Sequence, residues 1–234
     1  MFWSLIGLLG TATYIVLMII PHCLASMFTR SGNLSHIDAR YWARWTLFCS
    51  RVKVKVEGED NIPDVPAIYM PNHVSHFDVL AILGYLNVQF RWTVKKELFR
   101  IPLFAQAMKR AGYIMIDRSD HTKAMASMDV AAQRIRDGAS IMIFPEGTRS
   151  DDGTLQFPFK KGGFHLTIKS GAPIVPIAVL GSRDILPKHS LSTKPGTITL
   201  RIGKPINPAD FDSDMNLLMN AVHEALKQGL AGGE

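Results

Sequence analysis

A histidine and an aspartate five positions apart, His73 and Asp78, form the pairing in this chain best suited to chemistry. They lie in Asn72-His73-Val74-Ser75-His76-Phe77-Asp78. Ser75 suits the N-cap of a following helix, which sets His73 in the loop ahead of it and Asp78 in its first turn. A carboxylate bonded to one imidazole nitrogen fixes the tautomer and leaves the other nitrogen free to accept a proton. The ordinary imidazole pKa, about 6.5, suits a general base near neutrality. Ser75-x-x-Asp78 is also a capping pattern, so the segment alone leaves cap and catalysis both open. His76 falls inside the helix without an evident orienter and reads as structural. Ser75 lacks the glycine elbow of a nucleophile.

Other polar groups follow apolar runs. Phe144-Pro145-Glu146-Gly147-Thr148-Arg149 comes after a buried strand. Gly147 permits a tight turn. Arg149, and Arg118 from another strand end, can each hold a phosphate through paired hydrogen bonds. Glu146 can orient a hydroxyl or join the two arginines in a structural ion-pair network. Lys95 can stabilise a developing oxyanion, or stand with Lys96 as a solvated pair. The helix opening at Phe159-Lys160-Lys161-Gly162-Gly163 offers backbone N–H groups to an anion, or is a surface loop.

The elements that must place these groups alternate. Short Val- and Ile-rich runs predict strands near 52–57, 66–70, 90–94, 113–116, 140–144, 174–180 and 197–203. Helices fit 76–86, 100–110, 121–137, 161–170 and 213–229. The clearest is 121–137, capped by Asp120 and closed by Gly138. The pattern predicts an α/β fold with a mixed, largely parallel sheet flanked by helices. If the strands are parallel neighbours, the polar groups gather beyond their carboxyl ends, where such sheets bind ligands.

Residues 1–50 read as N-terminal membrane-anchoring helices, ahead of a domain over 51–234. Residues 2–20 are almost wholly apolar, up to Pro21-His22, long enough to span a bilayer or form one leg of a half-inserted hairpin. A cleaved leader fits poorly, since no basic start precedes the run. On a helical wheel of Asp38 to Ser50, Tyr41, Trp42, Trp45, Phe48 and Cys49 share one side and Arg40, Arg44 and Arg51 another, the pattern of a helix in the headgroup zone or of an amphipathic helix packed on the core. The arginines after the first segment place the rest of the chain in the cytoplasm.

The 234 residues carry a net charge of +6, which favours anionic partners. No dense basic run points to nucleic acid. Two cysteines, Cys23 and Cys49, without Cys/His ligand spacing argue against a metal or disulfide framework.

Four blocks together resemble a known family. Asn72 to Asp78 is similar to the NHxSxxD block of the glycerolipid acyltransferases, and Gly112 to Arg118 to their second block. Phe144 to Arg149 is the FPEGTR block in full, and Ile174-Val175-Pro176-Ile177 is similar to the fourth. Lys95 to Gly112 looks like the stretch between the first two. The chain resembles the 1-acyl-sn-glycerol-3-phosphate acyltransferases of that family. The resemblance implies acyl transfer from acyl-CoA or acyl carrier protein to lysophosphatidic acid at a cytoplasmic membrane, with no cofactor beyond the thioester co-substrate. In it His73 is the base, Asp78 its orienter and Lys95 the oxyanion aid. Arg118, Glu146, Gly147, Thr148 and Arg149 bind the acceptor, the arginines on its phosphate and Glu146 on its glycerol part.

Overall fold

Buried aliphatic runs set the sheet in a computed structural model that describes residues 2–27, 32–117 and 120–232. Its strands are β1 (Val52–Glu57), β2 (Ile68–Pro71), β3 (Phe90–Lys95), β4 (Ile114–Ile116), β5 (Ser140–Met142), β6 (Ile174–Leu180) and β7 (Gly196–Ile202). They lie in the order β1-β7-β6-β2-β5-β3-β4. The β6–β7 pair is antiparallel and the other pairs are parallel, so the sheet is mixed and largely parallel.

Sequence pattern follows position in the sheet. Central β2 and β6, covered on both faces, read as near-continuous apolar runs, and β5 between β2 and β3 is likewise buried throughout, with only Ser140 polar. Edge strand β1 alternates, with Lys53 and Lys55 interleaved among valines.

The helices are α1 (Phe2–Met27), α2 (Asn33–Cys49), α3 (His76–Tyr85), α4 (Pro102–Arg110), α5 (His121–Arg136), α6 (Lys161–Ser170), α7 (Ser182–Ile185) and α8 (Met215–Ala231). Side chains alternate across each strand. Tyr69, Met142, Val175 and Ile177 therefore pack with Ala43 and Leu47 of α2 and Phe77 and Ile82 of α3. Ile68, Met70, Ile141 and Ile174 pack on the opposite face with Ala131 and Ile135 of α5, Phe164 of α6 and Val222 of α8. Asp120 caps α5 by accepting from the N–H groups of Thr122 and Lys123, and Gly138 closes it at φ 92°.

The N-terminal helices form a hairpin. Gly7 and Gly10 let α1 approach α2, because a methyl at either would strike Ser50 or Cys49. Trp45 Nε1 donates to the Gly10 carbonyl at 3.0 Å. The helix continues through Pro21 to Met27, beyond the apolar run. Among the described residues no helix is long and apolar enough to cross a membrane.

Two arginines of α2 bind within the protein. Arg44 donates to Gly84 and Arg40 to Leu86 and Val88, so both bind the carbonyl-rich end of α3. Arg51 lies over the Trp3 ring. Trp42 packs against the core, whereas Tyr41, Trp45 and Phe48 stay exposed.

Candidate active site

The site lies beyond the carboxyl ends of β2 and β5, which are parallel neighbours. As β2 ends, Asn72 takes over its pairing with β6: its Oδ1 accepts from Val179 N–H at 2.7 Å and its Nδ2 donates to the Val179 carbonyl at 3.2 Å. The chain then turns into the loop holding His73.

Cap and histidine partner prove to be one arrangement. Asp78 Oδ2 accepts from Val74 N–H at 2.7 Å, from Ser75 N–H at 2.8 Å and from His73 Nδ1 at 2.9 Å. Ser75 Oγ accepts from Phe77 N–H and donates to the Leu186 carbonyl. Asp78 is 0% exposed. An acceptor already holding two backbone N–H groups takes the ring proton on Nδ1, which leaves Nε2 as the basic nitrogen of neutral His73. The His73 side chain is 14% exposed. Phe144 stacks on the imidazole at 3.8 Å between centroids, and Trp92 stacks on Phe144 in turn. The ring is thus fixed through its face as well as its edge.

Glu146 bonds backbone groups of two loops. Its Oε1 accepts from His73 N–H at 2.6 Å and its Oε2 from Gln156 N–H at 3.0 Å. Ser150 N–H returns a bond to the His73 carbonyl at 2.8 Å. The carboxylate therefore braces the histidine loop against the turn after β5. Among the described residues no ion pair joins it to Arg149. Burial pushes the Glu146 pKa up to about 7, against the lowering effect of the Gln156 and His73 N–H groups.

Gly147 makes the turn at φ 74°, and its N–H donates to the Phe144 carbonyl. Thr148 is exposed and Arg149 half-buried. Arg149 Nη1 donates to the Lys188 carbonyl, while Lys188 Nζ donates back to the Arg149 carbonyl. His76 is exposed at the first turn of α3. Its pKa is drawn down by desolvation first and then by the charge of Arg149.

Lys95 is exposed at the end of β3, which β5 separates from β2. Its neighbour Lys96 is instead bound to Asp117 at 2.9 Å. Arg118 lies outside the described residues. Lys160, just ahead of α6, donates its N–H to the Pro145 carbonyl, so that helix starts against the same turn.

Residues 53–180, more than half of the chain, match the sequence model described as Acyltransferase. The chain belongs to the acyltransferase family. Its relatives in that family include the chloroplastic 1-acyl-sn-glycerol-3-phosphate acyltransferase of Arabidopsis thaliana, 32% identical over 96% of this chain and 64% of that protein. The 1-acyl-sn-glycerol-3-phosphate acyltransferase alpha of Mus musculus is 28% identical over 96% of this chain and 82% of that protein. This chain thus spans about two thirds of the length of its plant relatives. The crystal structure of the 1-acyl-sn-glycerophosphate (LPA) acyltransferase of Thermotoga maritima superposes with a TM-score of 0.84, at 25% identity, over 100% of this chain and 96% of that one. As an acyltransferase-family fold, the sheet places His73, Asp78, Glu146 and Arg149 on one rim.

Sequence reasoning quoted Asn72 and Phe144 only as motif positions without a role, and missed Leu186 and Lys188. Phe144 had a signal, an aromatic directly after a buried strand. The others act with or upon backbone groups, which leave no trace in residue type.

Proposed function

We propose that this chain is an O-acyltransferase that moves a fatty acyl group from an acyl thioester to the sn-2 hydroxyl of 1-acyl-sn-glycerol-3-phosphate, giving phosphatidic acid for phospholipid synthesis. The observation that carries the reading is the bond from His73 Nδ1 to buried Asp78, which leaves Nε2 basic on a partly exposed ring.

Nε2 takes the proton of the acceptor hydroxyl as its oxygen attacks the thioester carbonyl. The tetrahedral intermediate collapses, the C–S bond breaks, and the imidazolium returns its proton to the leaving thiolate. Asp78 stabilises the transient imidazolium. No acyl-enzyme forms. Lys95 supplies positive charge at the oxyanion. Arg149 and Arg118 hold the acceptor phosphate, with Gly147 and Thr148 lining its approach. Glu146 acts as a positioning residue, through the backbone of His73.

Attachment of the chain to the cytoplasmic membrane through residues 1–50 fits the exposed apolar side chains of α1, among them Phe2, Leu8, Val16 and Leu17. The acceptor would then reach the rim from one leaflet. The domain over 51–234 carries the chemistry.

The names carried by the plant and mouse relatives support lysophosphatidic acid as the acceptor. A second reading keeps the chemistry and changes the acceptor to lyso-ornithine lipid or another lysophospholipid. Purified protein is given acyl-CoA and acyl carrier protein donors with a panel of acceptors. Transfer to lysophosphatidic acid supports the first reading. Transfer only to a zwitterionic lyso-lipid supports the second.

A further inference from the structure

The segment from Leu186 to Lys194 is a closed loop strung between the candidate site and the N-terminal helix. Its base is closed by the Lys194 N–H bonding the Ile185 carbonyl at 2.9 Å. On one side it meets the site at two points. The Leu186 carbonyl accepts from Ser75 Oγ at 2.7 Å, and Lys188 exchanges side-chain-to-carbonyl bonds with Arg149 in both directions. On the other side Thr193 N–H donates to Ser4 Oγ of α1 at 2.8 Å. Leu8 lies one turn from Ser4 on the same side of α1 and is 67% exposed. At the tip, Leu191 is 94% exposed, the most exposed large hydrophobic side chain among the described residues.

We propose that this loop is a lipid-contact element, separate from the N-terminal hairpin, which inserts Leu191 into the bilayer surface and thereby seats Arg149 at headgroup depth. The occupant is a phospholipid surface. The tip continues the exposed apolar row of α1 through the Thr193–Ser4 bond, so a surface that covers Leu5 and Leu8 also meets Leu191. Below it a cavity of about 330 Å³ is lined by Arg183, Asp184, Pro187, Lys194 and Pro195, where two cations outnumber one carboxylate. Lys188 and His189 are balanced by Asp151, which leaves the charges of Lys194 and of Arg183, the latter donating to the Asp151 carbonyl, for a headgroup. A compact loop of this kind, closed at its base, presents its tip as a unit. Because Arg149 and Lys188 hold each other, the depth of the tip sets the height of the arginine over the lipid.

The seating of Arg149 rests on the acyl-transfer reading; the insertion of Leu191 does not. The test uses the full chain with Cys23→Ser and Cys49→Ser, carrying an environment-sensitive fluorophore on Leu191→Cys. An exposed site tolerates this change. Vesicles of phosphatidylglycerol and phosphatidylethanolamine should blue-shift the probe, and nitroxide-labelled lipid should quench it. The same probe on Asp137→Cys, just ahead of the amino end of β5, should stay aqueous. In the unlabelled protein, Leu191→Asp should weaken vesicle binding by roughly tenfold or more, the worth of one buried leucine. It should slow turnover on vesicle-borne acceptor and spare turnover on a short-chain, monomerically dispersed acceptor. Equal shifts with phosphatidylcholine vesicles would remove Lys194 and Arg183 from the account and keep the insertion. An aqueous probe at position 191, with Leu8→Cys shifted by the same vesicles, would overturn the proposal while leaving catalysis standing. If catalysis itself is misassigned, turnover survives His73→Ala and the position-191 result is unchanged.

Discussion

The backbone N–H of His73 points at Glu146 Oε1, 2.6 Å away, so the turn after β5 fixes the loop after β2. The His73 side chain and its loop are therefore held from three directions: ring edge by Asp78, ring face by Phe144, backbone by Glu146.

Replacing Glu146 tests the brace. Glu146→Ala leaves the His73 and Gln156 N–H groups without their partner in a buried site, a loss of about 1–3 kcal/mol for each such group. Turnover should fall by at least about tenfold with little change in KM for the acceptor, since Glu146 bonds the backbone of His73. A large rise in KM with unchanged kcat would instead assign Glu146 to the glycerol moiety.

The raised pKa of Glu146 gives a signed expectation. Its carboxyl moves from 4.5 to about 7, so the folded state holds a proton that the unfolded chain releases. Its stability contribution is complete below pH 4.5 and is lost as pH rises through 7. Urea midpoints of Glu146→Gln, relative to the unmodified chain, should therefore climb between pH 5 and pH 8. A difference that stays flat would contradict the shift.

His36 has the opposite sign. Burial first, then the charges of Arg40 and Arg91, push its pKa from 6.5 down to about 3. Its neutral ring packs edge-on against Phe90. The stability it contributes is complete above pH 6.5 and is lost as pH falls toward 3. By pH 5 this amounts to at most about 2 kcal/mol. His36→Leu should gain on the unmodified chain as pH drops from 7 to 5, read as the difference in urea midpoint.

Arg149 should not tolerate lysine. The guanidinium binds the Lys188 carbonyl and keeps further donors for a phosphate, whereas an ammonium is a point charge without the planar fork. Arg149→Lys should raise KM for a phosphorylated acceptor by about tenfold or more, near the worth of one charge-assisted hydrogen bond. A neutral lyso-lipid acceptor, if used at all, should be unaffected.

Much of this arrangement was legible in the residues. Short Val- and Ile-rich runs announced the strands at 52–57, 66–70, 140–144 and 174–180. Ser75 and Asp78 announced the helix start, and with it the reach of Asp78 to His73. Less visible were the partners that are backbone. Nothing in the type of Glu146 says that its acceptors face the His73 and Gln156 amides, and a reading by charge sends it to an arginine. The arginines of α2 are a second case. Their wheel position suggested headgroups, and their guanidinium groups also reach carbonyls at and just beyond the end of α3, Arg44 that of Gly84 and Arg40 those of Leu86 and Val88. Register and strand order, which bring Arg149 beside Lys188, depend on contacts too distant in sequence for any local pattern to carry.

Turnover of the His73→Ala chain, with acyl thioester and lysophosphatidic acid, bears most directly on the central claim. With the general base removed and the fold kept, the rate should drop by at least about 100-fold while vesicle binding persists. A variant that still transfers acyl groups at the unmodified rate would contradict the account.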